Sequence, residues 1–196
     1  MLEVIQTRRS IRRYLPDPVP RDVIERLLTA AIWSPSAHNR QPWRFAVVEA
    51  AERKEHLARA MGAKLRRDLE ADGAPEDVIL KDTGRSYARI TGAPVLMALC
   101  LSMVDMDVYL DERRDALEYL MAAQSTAMAG QNLLLAAHEA GLGACWMCAP
   151  LFAPEVVRAA LDLPDDWQPQ ALITLGYPAE TRQKDRRPLE MSVLWR

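Results

Sequence analysis

Four arginines and a serine fall within seven residues, RRSIRRY at Arg8 to Tyr14, the densest run of chemically capable side chains on the chain. Guanidinium groups fork onto phosphate oxygens in bidentate pairs and a serine hydroxyl adds a donor, so Arg8, Arg9 and Ser10 can hold a phosphorylated ligand. A solvated basic arm would use the same residue types, and this segment alone does not separate the two. A second stretch, SPSAHNRQPW at 34 to 43, crowds small and amide side chains between two prolines and ends on an aromatic. Such a composition makes a poor helix and a good binding loop.

Other candidate chemistries find less support. Cys145 and Cys148 form a CxxC, which suits thiol redox chemistry or half of a zinc site. No second CxxC accompanies it, and it trails a long helix instead of opening one after an early strand. His38, His56 and His138 are scattered and show no HExxH or related pairing, so no metal site is expected. Neither GxGxxG nor GxxxxGK[ST] occurs, which leaves phosphate recognition to side chains.

The elements that must carry these residues are mixed helix and strand. Val23, Leu27, Leu28, Ala31 and Ile32 recur at helical spacing, predicting an amphipathic helix over Val19 to Ile32 with Pro20 in its first turn and Pro35 beyond its end. Strands are predicted at Phe45 to Val48, Pro94 to Leu101 and Gln170 to Leu175. Helices are predicted at Glu52 to Met61, at Pro75 to Ile90 beyond a turn around Asp72-Gly73, at Arg113 to Ala140, and at Pro154 to Leu161. The polar stretch from Lys64 to Arg89 reads as a helical excursion over the core. Its Arg66, Arg67, Lys81, Arg85 and Arg89 are candidates for an anionic substrate, although a charge run more often forms a solvated face.

At 196 residues and 49% hydrophobic content, the chain can bury a core within one domain spanning 1–196. A net charge of -2 gives no general attraction to nucleic acid or anionic lipid, so the arginine cluster is a local feature and no nucleic-acid partner is expected. Residues 119 to 137 are uncharged over nearly a bilayer span, but Gln124, Ser125, Thr126, Gln131 and Asn132 would need partners in lipid. A buried helix or subunit interface is the expectation, not a membrane span. Three cysteines and no leader pattern point to a reducing, cytoplasmic setting without disulfides.

Taken in order, RRSIRRY, the amphipathic helix, SPSAHNRQPW and its following strand resemble the FMN-dependent nitroreductase family. GLGACWMC at 141 to 148, ALITLGYP at 171 to 178 and KDRRPLE at 184 to 190 continue the resemblance along nearly the whole chain. It implies an α+β, three-layer fold with a central, mostly antiparallel sheet flanked by helices, in a domain-swapped homodimer with a C-terminal arm at 184–196 over the partner. It implies FMN as cofactor, with Arg8, Arg9 and Ser10 on the phosphate and ribityl chain, joined by Lys184 and Arg186. Arg12 would lie near N1 and O2 of the ring, as the catalytic cation for reduced flavin. Backbone N–H groups near Cys148 and Ala149 would face N5, and Pro35, Ser36, Ala37, Asn39 and Gln41 would come from the partner subunit. Ala37 and His38 depart from the small hydroxyl residues of many relatives. The implied activity is ping-pong hydride transfer from NADH or NADPH to a nitro, quinone or related small-molecule acceptor. Residues 141 to 180 further resemble the C-terminal flavin domain of coenzyme F-420 gamma-glutamyl ligase, which implies reduction of a dehydro precursor of that deazaflavin. A non-catalytic flavin-binding module is the remaining alternative.

Overall fold

A computed structural model describes residues 1–196. Four strands, β1 (Trp43–Val48), β2 (Val95–Leu101), β3 (Gly143–Met147) and β4 (Gln168–Gly176), form one sheet in the order β1-β2-β4-β3, with every neighbour antiparallel. Six helices surround it: α1 (Leu2–Thr7), α2 (Arg21–Ile32), α3 (Ala51–Ala71), α4 (Glu76–Thr91), α5 (Glu112–Glu139) and α6 (Pro154–Leu161).

Both faces of the sheet are covered, which makes three layers. Met97 and Leu99 of β2 and Ile173 and Leu175 of β4 pack with Ile24 and Leu27 of α2 and Ala129, Leu133 and Ala137 of α5. The alternate residues Leu96, Ala98 and Cys100 of β2 and Leu172 of β4 face Leu57 and Met61 of α3, Ile90 of α4 and Val157 of α6. An antiparallel strand commonly shows one face to water, so the unbroken apolar run VLMALCL of β2 reflects this double cover. Lys54 lies buried in α3 and remains charged-compatible because its ammonium donates to the Ala93 and Pro94 carbonyls at 2.7 and 3.0 Å.

The predicted elements at 45–48, 94–101, 113–140, 154–161 and 170–175 all occur, with ends shifted by a few residues. α3 runs ten residues past the expected stop at Met61, so the excursion is an αα-hairpin closed by the Asp72-Gly73 turn. Two elements lack a sequence prediction, the short α1 and β3. β3 follows directly on the end of α5, where Gly141 at φ +77° gives its N–H to the His138 carbonyl and Leu142 gives its N–H to Ala137, a Schellman closure. That turn sends the chain straight into the edge strand carrying Cys145.

Candidate active site

The RRSIRRY segment is pinned along β3. Ile11 donates to the Ala144 carbonyl at 3.0 Å, Leu15 to Tyr177 at 2.9 Å, and Ala179 donates back to Arg13 at 2.9 Å. Tyr14 locks the turn from inside: its hydroxyl donates to the Ile11 carbonyl and shares a hydrogen bond of 2.7 Å with the Thr174 hydroxyl. Burial raises the Tyr14 pKa, so it stays a neutral phenol. Close approach is possible because residue 143 is glycine. A Cβ there would lie 2.7 Å from Ile11 Cγ2 and 2.8 Å from Ile11 Cβ.

An extended segment alternates its side chains, and this one sorts the arginines. Arg8, Ser10 and Arg12 all act on the buried Cys145 thiol. Burial raises that thiol's pKa, while Arg12, Arg89, the Ser10 hydroxyl and Arg8 pull it down. Arg9 turns the other way, beside Ile11 and His138, and its guanidinium donates to the Gln6 and Arg8 carbonyls at 2.6 and 2.8 Å. The buried Nε of Arg9 is left without a partner. Arg8 is half-buried; burial lowers its pKa, and Arg186 and Arg9 lower it further. Arg186 of the C-terminal arm therefore lies near enough for its like charge to oppose that of Arg8. Lys184 is exposed and has no hydrogen bond to a protein group.

Beside this face opens a cavity of about 330 Å³ whose wall includes Arg12, Arg85, Arg89, Cys145, Cys148 and Ala149. Arg89 is half-buried and makes no ion pair; burial lowers its pKa first, then the nearby Arg12 and Arg85. The one carboxylate lining the cavity is Asp82, already paired with Arg85 at 2.7 Å. Glu180, near Arg12, is likewise engaged: it accepts the Arg12 backbone N–H at 2.8 Å and pairs with Arg182. The cavity thus carries a surplus of positive charge that suits an anion. The backbone N–H groups of Cys148 and Ala149 have no partner within the chain. Cys148 is exposed, and its sulfur accepts the Trp146 indole N–H at 3.1 Å.

Arg85 and Arg89 are the residues that a reading of local sequence underweights. Their place in a charge-rich run suggested a solvated face, yet α4 carries both to the cavity. Arg66 fits the bland reading, held by Glu70 and Glu76 at 3.1 Å each.

Residues 35 to 41 lie elsewhere. They lead into β1, at the sheet edge opposite β3, roughly 14 Å away across three strand spacings. The loop is strained and braced: His38, Asn39 and Gln41 hold φ near +50°, the Ser36 hydroxyl accepts the Gln41 N–H at 3.0 Å, and Ala37 donates to Ser125 of α5 at 3.3 Å. One protomer therefore does not unite Pro35, Ser36, Ala37, Asn39 and Gln41 with Arg8 and Arg12. No group of His, Cys, Asp and Glu side chains is placed to hold a metal ion, and no helix is long and apolar enough to cross a membrane.

The chain is similar in sequence and in fold to several known proteins. The chain is 35% identical to an NADH dehydrogenase of Thermus thermophilus over 96% of its own length and 92% of the relative's. It is 30% identical to the 5,6-dimethylbenzimidazole synthase of Rhodospirillum rubrum, covering 90% and 81%. A crystal structure of a provisionally named nitroreductase from Desulfovibrio desulfuricans, in complex with FMN, superposes with a TM-score of 0.77 at 30% identity, covering 100% of this chain and 95% of that one. Residues 5–177 match the model of the Nitroreductase family, which spans the arginine segment, the cavity and all four strands, and the chain belongs to that family.

Proposed function

We propose that this protein is an FMN-dependent oxidoreductase that takes hydride from NADH or NADPH and passes it to a nitro, quinone or related conjugated acceptor. The observation that carries this reading is the face formed by Arg8, Ser10 and Arg12 beside unpartnered N–H groups at Cys148 and Ala149, in a cavity with surplus positive charge. FMN bound there would supply the two-electron chemistry itself. Arg8, with Arg186 and Lys184 from the arm, would hold the phosphate, and Ser10 the ribityl chain. Arg12, joined by Arg89, would stabilise negative charge on the reduced ring, and the Cys148 and Ala149 N–H groups would donate to its N5 edge. Arg9 supports Arg8 from behind instead of contacting the phosphate, since its side chain turns away from the Cys145 face toward Ile11 and His138 and its Nη1 is held by the Gln6 and Arg8 carbonyls.

The functional unit we infer is a homodimer with shared sites. The loop at 35–41 stands at the wrong sheet edge for its own protomer's cavity, and apolar side chains wait uncovered: Leu117, Leu120 and Met128 on α5, with Trp33 and Trp195 beyond it. The finer acceptor, a dehydro precursor of a deazaflavin coenzyme, rests on the resemblance of residues 141 to 180.

The visible absorption spectrum of the purified protein, followed by anaerobic addition of NADH and NADPH in turn, tests the proposal. A yellow protein that bleaches and recovers its colour with a quinone is expected. A colourless protein that takes up no added FMN overturns the cofactor reading, and a yellow one that never bleaches overturns the enzymatic one in favour of a binding module.

A further inference from the structure

We infer that Arg85 forms an anion subsite at the mouth of the same cavity, so that the small molecule reacting there carries a carboxylate, sulfonate or phosphate group. The inference rests on the reading of the cavity as a flavin site and adds the class of molecule that shares it.

The structure sorts the basic residues of the α3–α4 hairpin. Arg66 is held by two glutamates and Lys64 by Asp68 at 2.6 Å, while Arg85 and Arg89 line the cavity. Arg89 is the deeper of the two and lies with Arg12 by the Cys145 thiol, where the reduced ring's charge would fall. Arg85 stands one turn earlier on α4 and is left over at the opening. Its partner Asp82 is an i,i+3 neighbour, and the two side chains are 50% and 31% exposed. A half-exposed pair of this kind adds little stability, so it yields readily to a bidentate contact with an incoming oxyanion.

A second chamber gives that anion an apolar body. A groove of about 220 Å³, walled by Met61, Leu65 and Leu69 of α3 and by Phe152, with the Lys64–Asp68 pair and Asp72 also in its wall, shares Leu65, Ser86 and Ala149 with the basic cavity. Phe152 is 76% exposed, a large apolar side chain held at the rim of the groove. An aromatic or quinonoid ring seated against these walls brings a charged substituent to Arg85, and a few polar groups set its orientation. Two sources offer the same chemistry: an acidic group on the acceptor, or the 2′-phosphate of NADPH.

The test uses the FMN-loaded protein, its Arg85→Ala variant and its Asp82→Asn variant, which frees Arg85. Calorimetry compares benzoate with its neutral isostere benzamide, without turnover. Steady-state kcat/KM compares 4-nitrobenzoate with nitrobenzene as acceptors, and NADPH with NADH as donors. Benzoate is expected to bind about tenfold more tightly than benzamide, the effect of one charge-assisted contact. Arg85→Ala should erase that preference and Asp82→Asn should enlarge it. Loss of the 4-nitrobenzoate preference assigns the anion to the acceptor; loss of the NADPH preference assigns it to the donor. Equal binding of benzoate and benzamide, or a preference that survives Arg85→Ala, overturns the subsite. Failure of the protein to load FMN overturns the flavin reading instead, and loading is measured first.

Discussion

Replacing Gly143 by alanine should uncouple the arginine segment from the sheet. The new Cβ would sit 2.7 Å from Ile11 Cγ2, 2.8 Å from Ile11 Cβ and 3.1 Å from Ile11 Cγ1. Carbon atoms prefer about 3.5–4.0 Å, so the overlap is about 1 Å. Rotating Ile11 relieves only the γ carbons. The clash with Cβ persists in every rotamer, which forces the backbone to retreat from β3 and stretches the hydrogen bond from Ile11 to Ala144. Overpacking of this kind costs about 1–3 kcal/mol of stability. The cost to binding should be disproportionate, because Ser10 and Arg12 flank Ile11 and travel with it. An ångström of misplacement in a positioning residue can lose about two orders of magnitude. We expect a weaker FMN dissociation constant, by at least about tenfold on that basis, in a titration following quenching of flavin fluorescence. Urea unfolding of the apoprotein should show the stability loss in parallel. An alanine variant that binds FMN as tightly as the parent, at unchanged stability, would refute the claim that β3 sets the position of the phosphate-binding face.

Arg8→Ala should raise the FMN dissociation constant by about 10–100-fold, the loss of a charge-assisted contact, and Arg9→Ala by much less, because the Arg9 side chain lies on the other side of the segment, beside Ile11 and His138; the reverse order in equilibrium dialysis would show that Arg9 is the phosphate ligand. Gly62→Ala, at a position in α3 with no atom within 4 Å of the new Cβ, should stabilise the protein by about 0.5–1 kcal/mol in urea unfolding, and a destabilised variant would refute the assignment of that stretch as regular helix. Burial pushes the Cys100 thiol up to about 12, so the unfolded chain ionises first: the stability it contributes is whole below about pH 9 and is lost as the pH climbs toward 12. Unfolding at pH 8 and pH 10.5 should show this decline, with a shallower slope in Cys100→Ala, and equal slopes would place the titration elsewhere.

Periodicity made most of the scaffold legible, because α2, α5 and the apolar strands β2 and β4 bury continuous patterns that no loop would carry. β3 escaped because its five residues, GACWM, follow a glycine turn and are too short to show alternation. α1 is also short and has no capping side chain. The arginine cluster was visible as a composition, but its division into Arg8 and Arg12 on one face and Arg9 on the other was not. That division comes from an edge contact with Ala144, more than 130 positions away, and local sequence carries no trace of it. The same holds for Arg85 and Arg89: a helical wheel marks them as polar, and only the packing of α4 against α3 turns that face toward a cavity.

The division of the site between sheet edges leads to a test that no single-protomer site can pass. The loop from Pro35 to Gln41 spends strain on three positive φ values, and it is held by the Ser36 hydroxyl, by Ser125, and by ion pairs from Arg40 to Asp107 and Arg44 to Asp105. Strain persists where the surroundings over-determine it, so the loop is shaped before any ligand arrives and presents the exposed Asn39 and Gln41 outward. If it completes the partner's cavity, an Arg8→Ala chain and an Asn39→Ala/Gln41→Ala chain have complementary lesions. A hybrid of the two gathers both lesions into one site and leaves the other whole. Random reassortment of equal amounts makes about half of the dimers hybrid, which restores about a quarter of the sites to full FMN affinity. Tight-binding stoichiometry after unfolding and refolding the mixture reads this directly. A mixture that gains no tight sites beyond its two parents shows that each protomer builds its site alone, and the placement of the loop at the far edge of the sheet then has no part in flavin binding.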